Sequence, residues 1–115
     1  NRNGGKSSGL YKSLNCGIGS SDTKKSVRNN LKIVCKKINC SPRKLILLNQ
    51  IHSNKFCFIG KNFKFNKKKL KGDALITDVK NIAIGVLTAD CVPILIYDKN
   101  FKVVSIIHAG WKGAY

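Results

Sequence analysis

Apolar residues follow two different periods in this chain, and the change between them falls near residue 45. Before it, Val27, Leu31, Val34, Cys35 and Ile38 recur at the i, i+4, i+7, i+8, i+11 spacing that lines one face of an α-helix. Ser21 or Asp22 can cap its start, because a short polar side chain there accepts from the free N–H groups of the first turn. Pro42, which has no N–H and restricts the residue before it, is expected to end it. After the change, apolar runs at 45–48, 56–59, 74–76, 82–87, 94–97 and 103–107 are rich in Ile, Val and Phe and are separated by Gly, Asn, Asp and Lys. They read as strands, and several are apolar at consecutive positions, which suits a sheet covered on both faces. One helix and about six strands predict an α/β or α+β layered sandwich with a mixed sheet. No internal repeat is visible.

The first 21 residues are rich in Gly, Ser and Asn, but Leu10, Tyr11 and Leu14 are anchors that a flexible linker would not need, so an ordered irregular loop is expected. At 115 residues with 43% apolar content the chain fits one small domain. It has no Met and stops at His-Ala-Gly-Trp-Lys-Gly-Ala-Tyr, which reads as a single incomplete domain, 1–115, truncated at both ends. The longest apolar runs are well short of the roughly 18 residues of a membrane span, and a soluble cytoplasmic protein is the expectation.

A formal charge of +17 suggests a phosphate-binding surface. The make-up of that charge weakens the case: 19 of the 22 basic residues are Lys, there is no Glu, and Lys, Asn and Ile together account for 44 residues, as A/T-rich coding would produce. The densest basic run, Lys67, Lys68 and Lys69 with Lys61, Lys64 and Lys71 around it, falls on a predicted loop near Phe63 and Phe65, where a solvated face is the default and an anion-attracting rim the alternative. No nucleic acid or membrane partner is expected, and the pattern says nothing of oligomeric state. The cysteines at 16, 35, 40, 57 and 91 are odd in number and contain no CxxC pair, so neither a disulfide framework nor a four-cysteine zinc knuckle is indicated. Cys35 and Cys57 read as buried small hydrophobes.

Three metal-capable side chains, His52, Cys91 and His108, each lie at the end of an apolar run, and they include both histidines of the chain. The polar connection Asp98-Lys99-Asn100-Phe101 suits a hairpin centred between Lys99 and Asn100, a register that sets Cys91 opposite His108. Three protein donors with a fourth position open is the pattern of catalytic zinc. Asp73 and Asp90 are the nearest carboxylates for proton transfer or ligand orientation. A metal-free thiol hydrolase or amidase, with Cys91 attacking and His108 accepting its proton, uses the same pair; His52 separates the two readings, since a dyad needs no second imidazole. A copper-dependent oxidase with several ions is disfavoured, because such centres need many imidazoles. A basic RNA-binding module would need Arg and aromatics spread over a sheet face, and the charge here is mostly Lys.

Six segments in order resemble the YfiH/YlmD-like laccase-domain family, labelled as multicopper polyphenol oxidases. Gly4-Gly5-Lys6-Ser7 is similar to its GGxS, Tyr11-Lys12-Ser13-Leu14-Asn15-Cys16-Gly17 to its YxSLNLG, and Asn49-Gln50-Ile51-His52 to its QVH segment. Gly72-Asp73-Ala74-Leu75-Ile76-Thr77 resembles ADALVT, Thr88-Ala89-Asp90-Cys91-Val92-Pro93 matches TADCVP, and His108-Ala109-Gly110-Trp111-Lys112-Gly113 resembles HAGWRG. The chain corresponds to about the N-terminal half of that domain. The resemblance implies a YfiH-like sandwich in which His52, Cys91 and His108 hold Zn2+, copper being less suited. It also implies activity on purine nucleosides: phosphorolysis of adenosine, inosine and methylthioadenosine to base and ribose 1-phosphate, with adenosine deamination as a second reaction. Cys91, His108 and Asp73 are then the catalytic candidates, and Asn15 and Lys112 the substrate-binding ones. The chain departs from the family pattern where Lys112 replaces Arg, where Gly19-Ser20-Ser21-Asp22 replaces a Gly-Asp pair, and where Leu31 stands at a common Arg position.

Overall fold

A computed structural model describes residues 3–64 and 70–114. Phe65, Lys67, Lys68 and Lys69, assigned above to a basic loop, lie outside the described residues. The chain divides into two compact units, Asn1–Lys44 and Leu45–Tyr115.

The first unit is built on helix α1, Lys24–Lys37. Its N-cap is Thr23, whose hydroxyl accepts the Ser26 N–H at 3.1 Å, and not Ser21 or Asp22. The Asp22 carboxylate is engaged elsewhere: it accepts from the Ser7 hydroxyl at 2.6 Å, the Asn15 amide at 3.0 Å and the Thr23 N–H at 2.7 Å. Pro42 does not end the helix. The terminator is Asn39, in the left-handed region at φ 51, with Cys40 N–H donating to Cys35 O at 2.9 Å and Asn39 N–H to Lys36 O at 3.3 Å. These two overlapping bonds satisfy carbonyls that the helix end leaves free, and Pro42 only opens a short 3-10 turn, Pro42–Lys44.

Val27, Asn30 and Cys35 are the buried residues of α1, while Ile38 is 50% exposed. Asn30 has no solvent exposure and ties the glycine-rich loop to the helix, accepting from Lys6 N–H at 2.6 Å and donating to Ser7 Oγ at 2.8 Å and Asn15 O at 2.7 Å. The loop is thus ordered, as expected, but for a different reason: Leu10 is no anchor, being 94% exposed, and the fastening is a polar network.

The described residues of the second unit form six strands: β1 Leu45–Leu47, β2 Phe56–Ile59, β3 Ala74–Thr77, β4 Ala83–Gly85, β5 Val92–Asp98 and β6 Val103–Ala109. β1 and β4 form a two-stranded parallel sheet, and the other four form a mixed sheet in the order β2-β3-β6-β5, with β2 and β3 parallel and the remaining pairs antiparallel. The core is Ile46, Leu48, Ile59 and Leu75, joined by Cys57, Leu70, Ile82, Ile84 and Ile106, so it gathers side chains from both sheets. Cys35 is buried as expected and Cys57 partly so.

Two expectations about this sheet are corrected. The β5–β6 register pairs Pro93, not Cys91, with His108. The four-residue connection sits one position further along, at 99–102, because the Asp98 side chain accepts from both Asn100 N–H at 2.8 Å and Phe101 N–H at 3.0 Å, and Lys102 turns back at φ 54. Among the described residues the sheet is also not covered on both faces. The register aligns Phe56, Ala74, Ile107 and Ile94 in one row and Phe58, Ile76, Ser105 and Ile96 in the next, and Phe56, Phe58, Ile94 and Ile96 on this face are exposed. All of β5 is exposed.

Candidate metal centre

The centre lies where three segments meet. His52 is in the link between β1 and β2, Cys91 immediately precedes β5, and His108 is near the end of β6. Their donor atoms all lie within 4.8 Å of one another, the one group of three such residues found among the described residues. The register correction does not separate Cys91 from His108. Cys91 lies just beyond the ladder, which ends at Val92 and Ala109, and its sulfur still reaches the imidazole donors.

Each donor is held from behind. The loop at 51–53 wraps the Asp73 carboxylate, which accepts from Ile51 N–H at 3.3 Å, His52 N–H at 3.0 Å, Ser53 N–H at 2.7 Å and Ser53 Oγ at 2.9 Å. The same carboxylate lies 2.9 Å from His108 Nδ1, and both residues are buried. Cys91 is carried by a loop whose start is clamped by Gln50: its amide donates to Leu87 O at 2.8 Å and accepts Leu87 N–H at 2.7 Å. The two imidazoles meet edge to face with centroids 4.8 Å apart. Gly110 permits this approach, because a Cβ there would be 2.7 Å from His52 Cδ2 and 3.1 Å from His108 Cε1.

Burial pushes the Asp73 carboxyl up, but the hydrogen bonds from His108, Ser53 and His52 outweigh it and hold it at about 2. Cys91 is raised above the ordinary thiol value by desolvation and by the neighbouring Asp90 carboxylate. That shift works against a free thiolate nucleophile, whose activation calls for a lowered pKa.

The donor set fits a zinc ion. Two imidazole nitrogens and one sulfur at tetrahedral angles around ~2.0–2.3 Å bonds lie about 3.3–3.6 Å apart. The three donor atoms, all within 4.8 Å of one another, come near that spacing. Lys112 is exposed, with its Nζ 4.9 Å from the Trp111 ring centroid. Asn15 belongs to the first unit, where its side chain braces its own loop through Gly17 N–H at 2.9 Å, Ser20 Oγ at 2.9 Å and Asp22. A cavity of about 280 Å³ opens over Ala74, Ile76 and Ile107, with Phe56, Ser53 and His108 among its lining. Sequence reasoning passed over the clamps by Gln50 and Ser53 and the vacancy at Gly110. Each lies within two residues of a donor, and Gln50 and Gly110 fall inside the family-like segments, which were the signals available.

The family model described as multi-copper polyphenol oxidoreductase laccase matches residues 1–115, the whole chain. The chain belongs to this laccase family. A purine nucleoside phosphorylase of Bacteroides thetaiotaomicron is 36% identical over 118 residues, covering 97% of this chain and 44% of that protein. A protein named adenosine deaminase RL5, from an unknown prokaryotic organism, is 40% identical over 75 residues, covering 60% of this chain and 29% of its own length. The solved structure of the Bacillus licheniformis protein YfiH superposes with a TM-score of 0.89 at 33% identity, covering 97% of this chain and 44% of YfiH. The mixed α/β architecture is therefore that of the laccase family, and the chain spans under half the length of these relatives. The family description speaks of several coppers, yet these 115 residues hold two histidines in all.

Proposed function

We propose that the protein is a zinc-dependent purine nucleoside phosphorylase with adenosine deamination as a second activity. The observation that carries this reading is the convergence of His52, Cys91 and His108 within 4.8 Å, in a chain whose relatives bear those two enzyme names. Thiolate with two imidazoles suits zinc better than a multi-copper arrangement, so we take zinc as the cofactor. Bound there, it would supply Lewis acidity and lower the pKa of a water in the open position.

The chain's own residues then divide the remaining work. Lys112 offers an exposed ammonium to phosphate, although as a point charge and without the bidentate fork of an Arg. Phosphorolysis joins a phosphate oxygen to the sugar C1′ while the C1′–N bond to the purine breaks and the departing base takes up a proton. Holding the anion against C1′ is therefore the task asked of Lys112. Asn15 is assigned to substrate binding in this proposal on the family resemblance alone. A cytoplasmic location, with nucleoside and phosphate as partners and no nucleic acid, belongs to the same reading. No described helix is long and apolar enough to cross a membrane.

The test is to incubate the full-length protein with adenosine and phosphate and separate the products by chromatography. Adenine or inosine is expected; the appearance of neither overturns the proposal. Elemental analysis of Cys91→Ala should show loss of stoichiometric zinc relative to wild type.

One observation favours a second reading. Asp73, His108 and Cys91 follow one another as a carboxylate, imidazole and thiol do in a thiol hydrolase. An activity that survives chelation and is abolished by a thiol alkylator would establish it. The raised Cys91 thiol and the presence of His52 count against it.

A further inference from the structure

We infer that Asp73 is the positioning residue of this centre: one buried carboxylate fixes the ring of His108 and the backbone of His52 in donor geometry, and it takes no part in moving a substrate proton. The inference rests on the metal reading above and assigns Asp73 its place within it.

The carboxylate has no capacity left for substrate. Oδ1 faces His108 Nδ1 at 2.9 Å and His52 N–H at 3.0 Å, while Oδ2 accepts from Ser53 N–H at 2.7 Å, Ser53 Oγ at 2.9 Å and Ile51 N–H at 3.3 Å. An ionised carboxylate offers about four lone-pair sites, and all are directed at the protein's own donors. Its exposure of 1% closes it to a substrate hydroxyl or amine.

The two halves of the grip do different things. Towards His108, an ionised acceptor at Nδ1 requires the proton on that nitrogen, which leaves the Nε2 lone pair for an ion shared with the other two donors; a carboxylate behind a ligating imidazole fixes its tautomer in this way. Towards His52, the grip is on the main chain. His52 has φ 54, in the left-handed region, where any residue other than Gly carries a backbone cost. Three successive N–H groups, from Ile51, His52 and Ser53, converge on the carboxylate and offset that cost. Asp73 is itself fixed at both ends, its N–H donating to Lys55 O at 2.8 Å and its carbonyl accepting His108 N–H at 2.7 Å.

The test compares full-length wild type, Asp73→Asn and Asp73→Ala. Zinc affinity is measured by competition with a chromophoric chelator, and His108 ring-nitrogen protonation by 15N NMR on metal-free protein. Wild type should show His108 protonated on Nδ1. Asp73→Ala should lose roughly ten- to a hundredfold in zinc affinity and shift His108 towards the Nε2-protonated tautomer. Asp73→Asn should fall between, because its carbonyl can still face His108 while its N–H2 opposes the donors of the 51–53 loop. A folded Asp73→Ala protein with wild-type affinity and an unchanged ring spectrum overturns the inference. Should Asp73→Ala not fold, Asp73→Asn decides, and wild-type affinity there overturns it equally. Wild type that binds no zinc sinks the metal reading instead, and its ring spectrum still decides whether Asp73 orients His108: protonation on Nε2 would overturn that role.

Discussion

Five hydrogen bonds reach the Asp73 carboxylate, and their effect on its protonation is a statement about stability as much as about the site. Its folded value of about 2 lies below the ordinary aspartate value of 3.8. A group with a depressed folded pKa contributes stability that is present in full above the unfolded value and is lost as pH falls through the folded one. The contribution here amounts to about 2 kcal/mol. Denaturation midpoints of the metal-free protein should therefore fall between pH ~4 and ~2, and fall less steeply in Asp73→Ala, which has no such group to protonate. Asp22 works in the same direction: the Ser7 hydroxyl, with smaller help from Asn15 and Thr23, holds its carboxyl below the usual value. An acid limb equally steep in Asp73→Ala would show that the hydrogen bonds do not survive in solution.

At the scale of elements, the six strands and the helix were legible because β-branched runs and a helical apolar stripe are local signals. What escaped was set by distant partners. Serine, aspartate and threonine at 20–23 are nearly equivalent as caps, and Thr23 takes the position because Asp22 is committed to Ser7 and Asn15. The helix end escaped because Asn39, not Gly or Pro, adopts the left-handed turn. The pairing moved by two because the Asp98 side chain shifts the four-residue loop one position along the chain, yet Cys91, just ahead of β5, still brings its donor within 4.8 Å of the imidazoles. Of the site, the donors could be read from residue type and position, whereas the Gln50 and Ser53 clamps required the fold. The turn after β6 adds a prediction of its own. In Gly110→Ala the new methyl must displace the His52 ring from 2.7 Å, so zinc affinity should fall by at least about tenfold while far-UV circular dichroism stays near wild type. Unchanged affinity would mean that the edge-to-face pair is not the binding arrangement.

Over the whole molecule, the surface and the interior differ in character. The exposed side of the mixed sheet presents Phe56, Phe58, Ile94 and Ile96 in a chain of charge +17, a contiguous apolar surface of the kind proteins ordinarily keep covered. The interior, by contrast, is satisfied: among the described residues no buried side-chain nitrogen or oxygen lacks a hydrogen-bond partner. Chelating the full-length protein should therefore lower its melting temperature only by the mass-action term for lost ligand, and leave its circular dichroism folded. Unfolding on chelation, as in a zinc finger, would contradict this. The Asp73 grip also bears on the order of events during synthesis. The β5–β6 hairpin can bring Cys91 and His108 together by a local closure, which for hairpins takes ~1–10 μs. His52 arrives only when the slower parallel pairing of β2 with β3 brings the 51–53 loop against Asp73. On that order two donors would meet before the third, so an ion held as proposed above would enter a formed socket, and a cell short of zinc would then accumulate folded, empty protein that can still be loaded.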